Sequence, residues 1–334
     1  MNILLTSVGR RAYLVKYFKE VLDGEGKVYV SNSDSMTVAF KYADNTIVSP
    51  LIYSDEYIPF LLDYCQKNSI DILLSLFDID LLVLAKHKKE FAEIGTRVIV
   101  SEPEFIEICN DKWKTYLYLK SNDFNVPKTY LTLDETKNAI KTGEINFPII
   151  VKPRFGCGSI AFAIADDDDG LAYHYKNTLK RIEKSYLKHE SNFFDDKIVF
   201  QEYLNGQEYG ADIINDLKGN HINAIIKKKI AMRAGETDIS ETVLKPNIKA
   251  VAEKLGTISG HIGNLDCDIF DVNGVPYVLE MNARFGGGYP FSHVAGCNLP
   301  KAIVKWCKGE KVDISMLEAS NGVRAFKELN LIVF

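Results

Sequence analysis

A mixed α/β architecture is expected for this chain: a doubly wound, Rossmann-like parallel sheet first, and an α+β half behind it. Three observations predict it. Short β-rich runs alternate with helix-period stretches over the first hundred residues, the pattern of parallel strands joined by crossover helices. Past residue 148 the chain is rich in strands with few helices between them. At 334 residues and 46% hydrophobic content, it has material for about two domains of roughly 150 residues, each burying a core.

Taken in order, strands are expected at 2–6, 27–31, 46–48, 72–75 and 97–100, each rich in β-branched or aliphatic residues. Helices fill the gaps at 11–22, 57–68 and 79–94; in the first, Leu14, Val15, Phe18, Val21 and Leu22 recur at helical spacing. The turn between the first strand and helix, Ser7 to Arg11, lacks the G-x-G-x-x-G fingerprint, which argues against a dinucleotide. Gly9 lets the strand turn tightly, and a loop at this end of a strand can also meet a substrate anion. From 111 to 148 the chain reads as helical and connecting, broken at Val126-Pro127 before a strand at 129–132. Further strands are expected at 149–151, 161–165, 198–202, 210–215, 221–228, 263–270 and 276–281, and the acidic run 166–170 reads as a solvated turn.

Charge narrows the function. Forty Lys and Arg against 45 Asp and Glu give a net charge of −5, which argues against nucleic acid or an anionic membrane as the main partner. The longest apolar stretch, 72–85, is interrupted by Asp78 and Asp80 and falls short of the roughly 18 residues of a spanning helix. With no basic, apolar leader at Met1, a cytoplasmic location is expected. Cysteines 65, 109, 157, 267, 297 and 307 are scattered singly, which suits neither a disulfide framework nor a structural zinc site.

Three segments carry chemistry. In Val278-Leu-Glu280-Met-Asn282-Ala-Arg284-Phe-Gly286-Gly-Gly288, strand alternation puts Glu280 and Asn282 on one face with Val278, and Leu279 and Met281 on the other. An acid and an amide that converge suit a hard cation such as Mg²⁺, which takes one or two carboxylates plus substrate phosphates. A further acid is expected across the hairpin at Val272-Asn273-Gly274; Asp268 or Asp266 supplies it, Asp268 being favoured. Arg284 and the three glycines then make a phosphate site beside the metal physically coherent. In Pro148-Ile-Ile-Val-Lys152-Pro-Arg154-Phe-Gly156-Cys-Gly158-Ser159, Lys152 ends an apolar strand, where its charge is costly unless it meets an anion, and the glycine loop offers amides to phosphates without being a Walker A motif. In Gln201-Glu202-Tyr203-Leu204-Asn205-Gly206-Gln207-Glu208, a strand running into a connection exposes main-chain groups that suit adenine, and Glu208 suits ribose hydroxyls.

Together with Asp111-Lys112, these segments stand in an order that resembles the ATP-grasp superfamily, in particular the single-copy ligases similar to the carbamoyl phosphate synthase large subunit. The resemblance covers nearly the whole chain. It implies a pre-ATP-grasp domain over 1–108, a small lobe with a glycine-rich flap over 109–200, and a large lobe with the metal site over 201–334. It implies ATP and Mg²⁺, with Mn²⁺ as a substitute. By the same match Lys112 and Lys152 contact the phosphates, Gly156, Gly158 and Ser159 cover them, the main chain at Glu202 and Leu204 holds adenine, and Glu208 the ribose. Asp268, Glu280 and Asn282 hold the metal, Arg284 faces the transferred phosphoryl group or the substrate carboxylate, and Lys229 and Arg233 stand beside the γ-phosphate. The expected activity is ADP-forming carboxylate–amine ligation through an acyl phosphate, with small-molecule carboxylate and amine partners and possible homodimer formation. Phosphorylation of bicarbonate or carbamate is the alternative within enzymes; a nucleotide-binding regulatory protein without turnover is the alternative outside them.

Overall fold

The computed structural model describes residues 1–156 and 160–333. Three sheets organise it. The first holds β1 (Asn2–Thr6), β2 (Lys27–Asn32), β3 (Asn45–Val48), β4 (Ile72–Ser75) and β5 (Arg97–Val98), all parallel, in the order β3-β2-β1-β4-β5. The interior strands β1 and β4 are apolar almost throughout because helices cover both their faces. Those helices are α1 (Ala12–Leu22), α2 (Tyr57–Lys67), α3 (Asp78–Lys86) and α4 (Lys88–Glu93). The helix expected over 79–94 is thus two, divided at His87, whose φ of −106° and ψ of 10° end α3 and open α4. The last strand is shorter than expected, ending at Val98.

Two more helices, α5 (Pro103–Asn110) and α6 (Lys112–Ser121), lead to the second sheet, with β6 (Thr129–Tyr130), β7 (Ile149–Pro153), β8 (Ala163–Ala165) and β9 (Ile198–Glu202) in the order β6-β9-β7-β8. The third sheet is antiparallel: β10 (Gln207–Asn215), β11 (His221–Arg233), β12 (Glu236–Thr242), β13 (Gly263–Val272), β14 (Val275–Asn282) and β15 (Arg324–Phe326), ordered β14-β13-β10-β11-β12-β15. The acidic run is exposed, as expected, but it starts a helix: Asp167 accepts from the Gly170 amide and caps Asp168–Glu183.

The cores show which sheets pack together. Leu4, Leu73 and Ile106 share one apolar cluster with Ala211, Leu265 and Met281, so the first and third sheets are welded by common packing. The second sheet keeps its own cluster around Ile149, Val151, Leu171 and Phe200. Five cysteines among the described residues are free, four of them buried as small apolar groups. No helix among the described residues is long and apolar enough to cross a membrane.

Candidate active site

A cleft of about 700 Å³ runs between the second and third sheets and reaches the loop after β1. Eleven of the expected site residues line it: Lys112, Lys152, Gly156, Glu202, Leu204, Glu208, Lys229, Asp268, Glu280, Asn282 and Arg284, the last beside Asp266. Gly158 and Ser159 lie outside the described residues.

Lys152 sits on β7 in an apolar setting and is buried. Its ammonium donates to Gln201 Oε1 at 2.8 Å, and Gln201 in turn donates to Thr129 Oγ1 at 2.9 Å. Since that partner is neutral, burial pulls Lys152 down to about 8, against the pull of Glu280 and Asp268 and helped by Lys112. A cation held this way is under-compensated and favours an arriving anion. The segment that begins at Gln201 stands out in the sequence, but its contact with Lys152 does not, because an amide on a buried strand carries no local signal of its partner 49 residues away.

Lys112 begins α6, whose cap Asp111 accepts from the amides of Trp113 and Lys114. Asp111 also takes a two-pronged contact from Arg154, Nε at 2.8 Å and Nη2 at 2.7 Å, both groups buried. Lys112 donates to the Gly156 carbonyl. Gly156 has φ of +90°, a conformation that side chains rarely adopt, so glycine is required where the loop leaves the strand. The Arg154–Asp111 pair therefore ties the loop's base to the helix that carries Lys112.

On the opposite wall, β13 and β14 pair Asp268 with Glu280 and Asp266 with Asn282. The register shifts between Asp268 and Ile269, which leaves Leu279 as an extra residue. Strict alternation had placed Val278 beside Glu280; the bulge instead sends Val278 into the core with Cys267, Ile269 and Met281, and Leu279 lines the cleft. Among the described residues no group of three or more His, Cys, Asp or Glu is arranged to hold a metal alone. Two facing carboxylates and an amide, with room beside them for phosphate oxygens, fit Mg²⁺ and leave its other positions to a substrate.

Lys229 reaches Glu208 Oε1 and Asp268 Oδ1, each at 2.6 Å. Burial alone would lower its basicity, but these two carboxylates hold it well above its ordinary value. Burial pushes the Asp268 carboxyl up, opposed by Lys229 and reinforced by Asp266 and Glu208. The lysine thus neutralises the acidic wall in this structure.

Arg284 is buried and engaged: Nε and Nη2 donate to Asp78 Oδ2 at 3.2 and 3.0 Å, and Nη1 to Asp266 Oδ2 at 3.1 Å. Gly286 makes this possible, for a Cβ there would lie 2.1 Å from the Asp266 carboxyl carbon. Asp78 lies 206 residues away in sequence, so its role had no local signal. Arg233 is a correction. It lies on the exposed end of β11, bound to Asp238 and the Lys327 carbonyl, because two register irregularities after Lys229 turn Met232 toward the cleft and Arg233 away.

Comparison with known proteins agrees with this fold. Residues 3–99 match the family model described as a PylC-like N-terminal domain, and residues 109–288 that of the ATP-grasp domain. The chain is 22% identical over 330 residues to the carbamoyl phosphate synthase large chain of Clostridium botulinum, covering 96% of this chain and 29% of that one. It therefore spans under a third of that relative's length. Its fold superposes on the L-amino acid ligase from Bacillus licheniformis with a TM-score of 0.71 at 20% identity, covering 94% of this chain and 78% of that one. It also superposes on the biotin carboxylase domain dimer of Hydrogenobacter thermophilus 2-oxoglutarate carboxylase, crystallised with MgADP, ADP and bicarbonate, with a TM-score of 0.72 at 17% identity, covering 93% and 70%.

Proposed function

This chain belongs to the ATP-grasp family, whose model spans more than half of its length, and we propose that it is an ATP- and Mg²⁺-dependent ligase joining a carboxylate to an amine with release of ADP. One observation carries the reading. A buried, under-compensated ammonium at Lys152 faces the Asp268, Glu280 and Asn282 wall across a single cleft, the arrangement a triphosphate with a divalent ion would complete.

In this reading residues 1–108, 109–200 and 201–334 act as the opening domain, small lobe and large lobe. Main-chain groups at Glu202 to Leu204 meet adenine, whose faces pack on apolar side chains such as Ile150 and Leu279. Glu208 takes the ribose, and Lys112 and Lys152 neutralise the phosphates. Asp268, Glu280 and Asn282 would hold Mg²⁺, which when bound spreads phosphate charge and fixes phosphate geometry. The substrate carboxylate then attacks the γ-phosphorus, the bond to the ADP oxygen breaks, and an acyl phosphate forms. An amine attacks the acyl carbon, expelling phosphate and losing a proton. Closure of the second sheet over the cleft keeps water from the acyl phosphate.

The test is a pairwise screen of carboxylates and amines for ADP release. The reading predicts Mg²⁺-dependent release that needs both partners; nucleotide binding without turnover by any pair would instead favour a regulatory role. The carbamoyl phosphate synthase relatives favour a second reading, phosphorylation of bicarbonate or carbamate. Formation of carbamoyl phosphate from bicarbonate, ammonia and ATP would select it. We further propose a cytoplasmic homodimer, the latter tested by light scattering.

A further inference from the structure

Against the first sheet lies a buried carboxylate that the proposed chemistry does not use. In the order β3-β2-β1-β4-β5 the chain leaves β1 toward one edge and returns at β4 toward the other, so the carboxyl ends of β1 and β4 flank a topological switch point, the crevice where open parallel sheets hold ligands. Asp80 of α3 lies beneath that crevice with no solvent exposure. Its Oδ2 accepts from Thr6 Oγ1 at 2.6 Å, Ser75 Oγ at 2.7 Å and Ser7 Oγ at 2.9 Å, and its Oδ1 from Tyr57 Oη at 2.8 Å.

These donors come from the end of β1, the end of β4 and α2, so one carboxylate ties together both strands of the switch point. Burial pushes its carboxyl up, and the four hydroxyls oppose that. What it fixes faces the cleft: Ser7, Gly9, Arg10 and Arg11 line it. Ser7 is held at φ of +51° and Gly9 at +49°, so the loop has an uncommon backbone that needs support from outside.

We propose that Asp80 is a positioning residue that clamps the β1–α1 loop and so shapes the acceptor end of the cleft. The term acceptor rests on the ligase reading; the clamp itself does not. A hydroxyl donating to a buried carboxylate is a strong contact, so its loss should loosen the loop selectively.

The test is amide hydrogen exchange on the full chain, with Thr6→Val, Thr6→Ser and Ser7→Ala, and MgADP titration of each. Protection is readable at Gly9, whose amide donates to Asn32 Oδ1, and at Arg11, which donates to the Val8 carbonyl. Thr6→Val keeps the shape and removes the donor, whereas Thr6→Ser keeps the donor and removes a methyl. Thr6→Val and Ser7→Ala should speed exchange over residues 7–11 by about tenfold or more, with Thr6→Ser close to wild type and MgADP affinity within about twofold in all. Looser exchange in Thr6→Ser but not in Thr6→Val would make the contact one of packing and overturn the clamp. Equal loosening over the whole sheet would overturn it too. Failure of the unaltered protein to bind MgADP would sink the ligase reading, while the exchange pattern would still decide the clamp.

Discussion

Replacing Lys152 by Met should move stability and nucleotide affinity in ways the structure separates. The ammonium falls from its usual 10.5 to about 8 because it is buried beside a neutral amide. At about 1.4 kcal/mol for each tenfold, keeping it charged in the ligand-free protein costs on the order of 3 kcal/mol. The sign follows from linkage. Below pH 8 both folded and unfolded forms are protonated and the cost is present in full. Between about 8 and 10.5 the folded form sheds the proton first, so the wild-type protein gains stability as pH rises. Lys152→Met removes this, but it leaves Gln201 Oε1 without its donor, a penalty of about 1–3 kcal/mol. The two effects nearly offset at neutral pH. What does not cancel is the pH dependence: the stability difference, wild type minus variant, should climb by about 3 kcal/mol from pH 8 to 10.5 in urea titrations. MgATP affinity should fall about 10- to 150-fold, the worth of a charged hydrogen bond to phosphate. A flat stability difference with unchanged affinity would refute the reasoning.

Glu280→Ala should leave the melting temperature within a few degrees of wild type while abolishing the Mg²⁺ dependence of ATP binding, read by titration with and without Mg²⁺. Arg284→Met removes a cation shared by buried Asp78 and half-buried Asp266 and should cost about 3–5 kcal/mol in chemical denaturation. Arg233→Ala, at an exposed position outside the cleft, should change stability by no more than about 0.5 kcal/mol and leave ATP affinity unaltered.

Much of the fold was legible because burial writes itself as pattern. β1 and β4 are built on short aliphatic runs, and the strands expected at Asn2–Thr6 and Ile72–Ser75 coincide with them. Among the strands of the third sheet, β12 and β15 were missed: Glu236–Thr242 is mostly polar and Arg324–Phe326 is a three-residue edge, so neither carries a hydrophobic run. The candidate residues that line the cleft stand out where a charge or glycine interrupts an apolar strand, as at Lys152 and Gly156. Their partners do not, since Asp111 for Arg154 and Asp78 for Arg284 lie 43 and 206 residues away and contact depends on folding. A bulge is equally invisible to alternation, which is why Leu279 and Val278 exchanged faces, and the irregularities that turn Arg233 away from the cleft leave no mark in the family resemblance that suggested it.

A crystal structure of the full chain grown with Mg²⁺ and a non-hydrolysable ATP analogue bears most directly on the central claim. The account predicts adenine against the 202–204 main chain, phosphates at Lys112 and Lys152, and a cation between Glu280 and Asn282. Nucleotide bound elsewhere, or phosphates in the cleft with no cation near those two side chains, would contradict it.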